Sequence, residues 1–183
     1  MALTYTPSPD LGQTCPDFNL PATDGRIYGK KDLAPGRPFL VMFICNHCPY
    51  VKAIEDRLIT LGRDLQALNV PVVAISANDA NRYAEDSFDS MKARAELKSY
   101  TFPYLYDENQ SVAKSFGAVC TPDYFMYDGD GKLAYRGRLD DSWKEADKVT
   151  VRELYEAAKL LAAGQPAPVN QTPSMGCSIK WKE

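Results

Sequence analysis

Phe39-Leu40-Val41-Met42-Phe43-Ile44-Cys45-Asn46-His47-Cys48-Pro49 opens on six consecutive apolar residues, a run too short for a helix. It is rich enough in branched and aromatic side chains for a central parallel strand. Two cysteines follow at once, and Pro49, with its fixed φ and no N–H to lose, suits the first turn of a helix. The predicted arrangement is a buried strand over residues 38–44 that delivers a Cys-x-x-Cys pair to a helix N-terminus.

The surrounding pattern extends this reading. From Pro49 the apolar positions Val51, Ile54, Leu58, Leu61, Leu65 and Leu68 follow helical spacing, and Pro71-Val72-Val73-Ala74-Ile75-Ser76 is the next apolar run. Strand, helix and strand of these lengths predict a right-handed crossover between parallel strands, with the cysteine pair at the carboxyl end of the first. The polar segment 77–86 is expected to be a solvated loop bordering the pair. Phe88, Met91 and Ala95 space a further helix, Phe102 to Tyr106 reads as an extended edge piece, and Ser111 to Phe116 as a short helix stopped by Gly117. Tyr124 to Tyr127 and Leu133 to Tyr135 flank Asp128-Gly129-Asp130-Gly131, a hairpin signal. Thr150-Val151-Arg152-Glu153 has the form of a capping box, before a last helix ending at Gly164.

At the two ends the signals are weaker. Residues 1–16, with Pro7, Pro9 and Pro16, predict an extended arm on the surface, and Asp17 to Leu20 a short strand. Asp24-Gly25 marks a turn, and Pro35-Gly36 closes a loop before the buried strand. Residues 164–183 form a long tail whose apolar end, Met175 to Trp181, implies docking.

The 183 residues carry no linker or repeat, and one domain is expected over 1–183, with a core at about 17–163 and a tail at 164–183. Hydrophobic and charged contents of 45% and 25% are those of a soluble globular protein, without a run of membrane-spanning length. A net charge of -3 with dispersed Lys and Arg gives no basic patch, so neither nucleic acid nor membrane is expected as a partner. Met1 to Tyr5 lacks the basic start and apolar stretch of a secretory signal, which makes the cytoplasm the expected location.

Five cysteines, Cys15, Cys45, Cys48, Cys120 and Cys177, are an odd number and do not describe a disulfide scaffold. A bridge between Cys45 and Cys48 closes so short a loop that chain entropy gives it only roughly 2 kcal/mol, a poor reason for the pair as a staple. Two thiols at this spacing can instead form and break one disulfide. Unpaired N–H groups at a helix N-terminus favour a negative sulfur, so Cys45 is expected to be the reachable attacking thiolate and Cys48 the resolving thiol one turn away. His47, the only histidine, sits between them, where an imidazole stabilises the reduced form and makes the couple more oxidising. A zinc site would need a second pair from Cys120 and Cys177, far apart in sequence; no metal and no cofactor is expected.

The chain resembles the thioredoxin-like superfamily, specifically its peroxiredoxin-like and redoxin branch. The lead-in Gly12-Gln13-Thr14-Cys15-Pro16-Asp17-Phe18-Asn19-Leu20 is similar to that branch's opening. Cys45 and Cys48 match the thioredoxin motif, and Thr121-Pro122 before a strand matches the loop whose proline is cis and faces the sulfurs. The resemblance implies a thioredoxin-like α/β fold with a central mixed sheet flanked by helices. It further implies a partner received as an added strand beside Thr121 and Pro122. Peroxiredoxins carry a threonine three residues and a proline seven residues before the peroxidatic cysteine; with Cys48 aligned there, those positions are Cys45 and Val41. Their transition-state arginine falls at Thr121-Pro122, and neither Arg136 nor Arg138 matches it. Thioredoxin's buried acid falls at Phe39, leaving Glu55, Lys52 or water as candidates to take the proton of Cys48. The function expected is thiol-disulfide exchange with a protein dithiol or disulfide. The alternatives are a thiol peroxidase acting on peroxide through Cys48 and a non-enzymatic metal or partner-binding module. Cys120, next to Thr121-Pro122, is an accessory redox candidate that would relay a disulfide to Cys177 on the tail.

Overall fold

The structure, a computed structural model, describes residues 3–33 and 36–183. Pro35 of the anticipated loop lies outside the described residues. In chain order the elements are β1 (Leu3–Tyr5), β2 (Asn19–Pro21), β3 (Ile27–Gly29), α1 (Lys30–Leu33), β4 (Phe39–Phe43), α2 (Pro49–Ala67) and β5 (Val72–Ser76). There follow α3 (Phe88–Lys98), β6 (Tyr104–Tyr106), α4 (Ser111–Phe116), β7 (Cys120–Thr121), β8 (Asp123–Tyr127), β9 (Leu133–Tyr135), α5 (Glu153–Ala162) and β10 (Met175–Ser178). Among the described residues no helix is long and apolar enough to cross a membrane.

The central sheet has the order β6-β5-β4-β8-β9, and every residue of β4, β5 and β8 is buried. β4 runs parallel to β5 and β5 to β6, while β8 is antiparallel to both β4 and β9. This is the mixed, helix-flanked sheet that the sequence predicts, reached through the β4-α2-β5 crossover. Alternation along β4 builds two cores. Leu40 and Met42 pack with Val51, Ile54, Leu58, Leu61 and Leu65 of α2 and Leu154, Ala157 and Ala158 of α5. Phe39, Val41 and Phe43 face Phe116 of α4 and the lead-in residues Cys15, Phe18 and Leu20. There the Phe116 ring meets Phe43 and Phe125 edge-on at 5.5 and 5.4 Å. Each such aromatic, taken out of water, contributes about 1.5–3 kcal/mol.

Two local expectations are corrected. The Thr150 capping box does not form: the Thr150 hydroxyl donates to the Asp141 carboxylate, and so do the N–H groups of Thr150 and Val151. With its side chain spent there, Thr150 leaves α5 to start at Glu153 without a side-chain cap, and Val151 is exposed. The arm of residues 1–16 is not merely laid on the surface, because β1 pairs antiparallel with β10, and β10 pairs antiparallel with β7. This second sheet, β1-β10-β7, docks the tail as predicted, and docks it against the site.

Candidate active site

β4 ends at Phe43 and α2 begins at Pro49, so Cys45 and Cys48 lie in the turn between them, with Cys48 as the N-cap residue of α2. None of the five cysteines is in a disulfide. The Thr121-Pro122 peptide is cis, as the resemblance implies. Thr121 meets both sulfurs: its hydroxyl oxygen is 3.2 Å from Cys45 Sγ, and its carbonyl oxygen is 3.2 Å from Cys48 Sγ.

The two sulfurs are tied to each other electrostatically. Cys45 is only 1% exposed, and its pKa is raised well above the ordinary thiol value, first because it gives its hydrogen to Cys48, then through burial and the nearby Asp86 carboxylate. Cys48 is held down to about 5, chiefly by the hydrogen bond from Cys45, with the Cys177 thiol and the N–H groups of Val51 and Cys177 adding to it against burial. When protonated, Cys48 donates to the Thr121 carbonyl; when ionised, it gathers these donors, and the donors prevail. The hydrogen bond between the two sulfurs favours a single shared proton at the start of α2. Neither sulfur is exposed: Cys45 is buried and Cys48 is 0% exposed.

His47 does not stand free between the sulfurs. Its ring Nδ1 is 2.5 Å from Asp86 Oδ2, and the ring stacks on Tyr83 with centroids 4.8 Å apart. Asp86 is fully buried and also accepts from the N–H groups of Asn46 and His47 at 2.8 and 3.2 Å and from the Asn78 amide at 2.8 Å. Asn46 is fixed further by donation to the Glu85 carbonyl and acceptance from the Tyr104 hydroxyl. The segment 77–86 is thus not a solvated loop: Asn78, Asp79 and Asp86 are buried, and the last of these pins the Cys-Asn-His-Cys turn. A polar run containing three acids and two asparagines carries no mark of which acid folds inward, and no spacing relates position 86 to position 47.

Among the described residues, Cys45, His47 and Asp86 each bring one donor atom within 4.8 Å of the others, a set that could hold a metal ion. The Asp86 carboxylate is already saturated by the turn and Asn78, so a metal would have to displace these bonds. The proposed proton acceptors are engaged away from the pair. Glu55 takes two hydrogen bonds from Arg94 and one from Tyr100, and Lys52 meets Glu85 at 3.3 Å.

The two accessory thiols part company. Cys177 pairs with Thr121 across β10 and β7, whereas Cys120 pairs with Ser178, so the two side chains point to opposite faces. Cys177 joins Cys48 in the same core and hydrogen-bonds to it. Cys120 instead turns its thiol to the Pro122 carbonyl at 3.6 Å, and its pKa is pushed up by burial and Asp123. A direct Cys120-to-Cys177 relay does not fit this register. Pro122 lines a cavity of about 160 Å³ with Tyr50, Tyr124, Trp143 and Met175 among its walls.

An uncharacterized conserved protein from Geobacillus kaustophilus has a solved structure 44% identical to this chain, with a TM-score of 0.92 and coverage of 100% of this chain and 97% of the other. The thiol:disulfide interchange protein DsbE of Escherichia coli K12 is 29% identical over 146 residues, 75% of this chain and 72% of its own. The thioredoxin domain of a thiol-disulfide oxidoreductase from Bacteroides vulgatus shares the fold at a TM-score of 0.59 and 17% identity, covering 70% of this chain and 89% of that one. The AhpC/TSA family pattern matches residues 11–136, more than half of the chain, and the protein, a redoxin of the thioredoxin-like superfamily, belongs to that family.

Proposed function

We propose that the protein exchanges disulfides with a protein dithiol or disulfide through the Cys45-Asn46-His47-Cys48 turn. The protein is an oxidoreductase of the thiol-disulfide class, as its similarity to thiol:disulfide interchange proteins supports. The observation that carries the finer reading is the geometry of the pair: Cys48 caps the start of α2, Cys45 stands three residues before it, and Thr121, ahead of the cis Pro122, lies 3.2 Å from both sulfurs. A thiolate attacks a disulfide sulfur, and the neighbouring thiol resolves the mixed disulfide. His47, tied to Asp86, tunes the pair from beside Cys45, and Thr121 with Pro122 forms its opposite wall.

With insulin as the disulfide substrate and dithiothreitol as reductant, the wild type should turn over. Cys48→Ser and the double variant Cys45→Ser/Cys177→Ser should each lose turnover by about a hundredfold or more, the remaining sulfur of the pair accumulating as a mixed disulfide. Retained turnover in either variant, or absence of any trapped species in both, would count against the dithiol reading.

A second reading, peroxide reduction at Cys48, is favoured by the depressed pKa of that thiol and by the family match. Against it, the Arg136 guanidinium is bound to Asp123 and the Gly117 carbonyl and lies over Phe125, and Arg138 pairs with Glu153. Hydrogen peroxide consumption that survives Cys45→Ser and is lost in Cys48→Ser would favour the peroxidase.

A further inference from the structure

We infer that Cys177 is a third redox thiol of this centre, placed by the tail strand beside Pro122 in the position of a partner's strand and able to take over the disulfide at Cys48. The inference rests on the exchange chemistry proposed above and adds an internal partner to it.

Three observations meet here. The first is the pairing. β7, the two residues directly before Pro122, is the edge a partner strand would join, and β10 of the same chain already occupies it, with Cys177 opposite Thr121. The second is the closeness of approach. Gly176 runs so near the Thr121 carbonyl that a Cβ at this position would overlap it, so glycine there lets the tail settle onto the active-site loop. The third is the row of sulfurs. Thr121 touches Cys45 with its hydroxyl and Cys48 with its carbonyl, and across the ladder from it the Cys177 thiol and N–H both reach the sulfur of Cys48. Cys48 therefore has a thiol on either side, Cys45 on its own turn and Cys177 on the tail. Before β10 the Ser174 hydroxyl donates to the Pro122 carbonyl, and beyond it the tail is fixed by hydrogen bonds of Lys180 to Asn78 and Asp79 and of Lys182 to Gln110, so this alignment is built in at both ends of the strand.

The step balances without an outside reagent. Starting from the Cys45–Cys48 disulfide left by exchange with a partner, the Cys177 sulfur, as thiolate, attacks Cys48 Sγ. The Cys48–Cys177 bond forms and the Cys45–Cys48 bond breaks. The electron pair stays on Cys45, which takes up the proton that Cys177 gave up. One disulfide and one thiol become one disulfide and one thiol. The product fastens the tail over the site and leaves Cys45 reduced.

The experiment is disulfide mapping by mass of full-length wild type, Cys45→Ser and Cys120→Ser after equilibration with oxidised glutathione and digestion without reduction. In Cys45→Ser the peptide holding Cys48 should be linked to the peptide holding Cys177 in most molecules. In wild type and Cys120→Ser both the Cys45–Cys48 and the Cys48–Cys177 forms should appear, so the answer does not hang on one variant folding. Wild type that forms Cys45–Cys48 alone, with Cys48 of Cys45→Ser ending as a glutathione adduct and Cys177 unlinked, would overturn this inference and leave the exchange chemistry standing. Wild type that forms neither bridge would overturn both.

Discussion

Asp86 gathers on one buried carboxylate the N–H groups of Asn46 and His47, the His47 ring and the Asn78 amide, which makes it the residue that fixes the turn carrying Cys45 and Cys48. Removing it strands several buried donors at once, and each hydrogen bond to a charged group contributes about 1.5–3 kcal/mol. Asp86→Ala should therefore lose roughly 2–4 kcal/mol in urea unfolding of the reduced protein, and Asp86→Asn, which keeps one acceptor oxygen, should lose less. A loss within the scatter of surface substitutions would sink the anchoring role. At Cys48 the depressed pKa makes a second test. Thiolate absorbance at 240 nm in the reduced protein should rise with a midpoint near pH 5, and Cys48→Ser should abolish that step. The linkage has a definite sign. Between pH 5 and 9 the unfolded pair holds two protons and the folded pair one, so stability rises with pH through that window. Above pH 9 the unfolded pair loses both while Cys45 keeps its own, and the gain shrinks. Chemical denaturation at pH 5 and pH 8 should show this rise in wild type and not in Cys48→Ser.

At the scale of elements, β10 is held onto β7 by a contact that only glycine permits. Gly176→Ala should push the strand off the Thr121 carbonyl, uncover Cys45 and Cys48 and raise their rate of alkylation by iodoacetamide by about tenfold or more, since both are almost fully buried in the native arrangement. An unchanged rate would show that the close approach is not what closes the site. The same element marks the limit of what the sequence discloses. β4 and α2 were legible because their information is local: Phe39 to Ile44 is an unbroken apolar run, and Val51, Ile54, Leu58 and Leu61 repeat on one helical face. From them follow the crossover, the parallel pairing and the position of Cys45 and Cys48. The partition of charge between those two sulfurs was not legible, because it depends on donors from residue 177 as well as residue 45. Nor was the inward turn of Asp86, which differs from its exposed neighbour Glu85 only in what packs around it. Thr150 shows the converse error: its motif is a sound local cap signal, overridden by Asp141 from outside the window.

Across the whole molecule, the small β1-β10-β7 sheet brings the first strand and the last onto the loop that precedes Pro122, so the turn of Cys45 and Cys48 and the tail meet beside one ladder. That geometry separates the two disulfides available to Cys48 by their effect on global stability. A Cys45–Cys48 bridge closes a minimal loop and constrains the unfolded chain by roughly 2 kcal/mol, whereas a bridge from Cys48 to Cys177 encloses most of the sequence and constrains it by about 5 kcal/mol. The difference is large enough to read as heat stability, since about 1 kcal/mol moves the melting temperature of a chain this size by roughly 2–4 °C. Oxidised Cys45→Ser, able to form only the long bridge within this row of sulfurs, should melt on the order of 10 °C above its reduced form. Oxidised Cys177→Ser, limited to the short one, should rise by much less. Calorimetry of both variants in each redox state makes the comparison, and equal shifts in the two would mean that the tail is not covalently joined to the centre it covers.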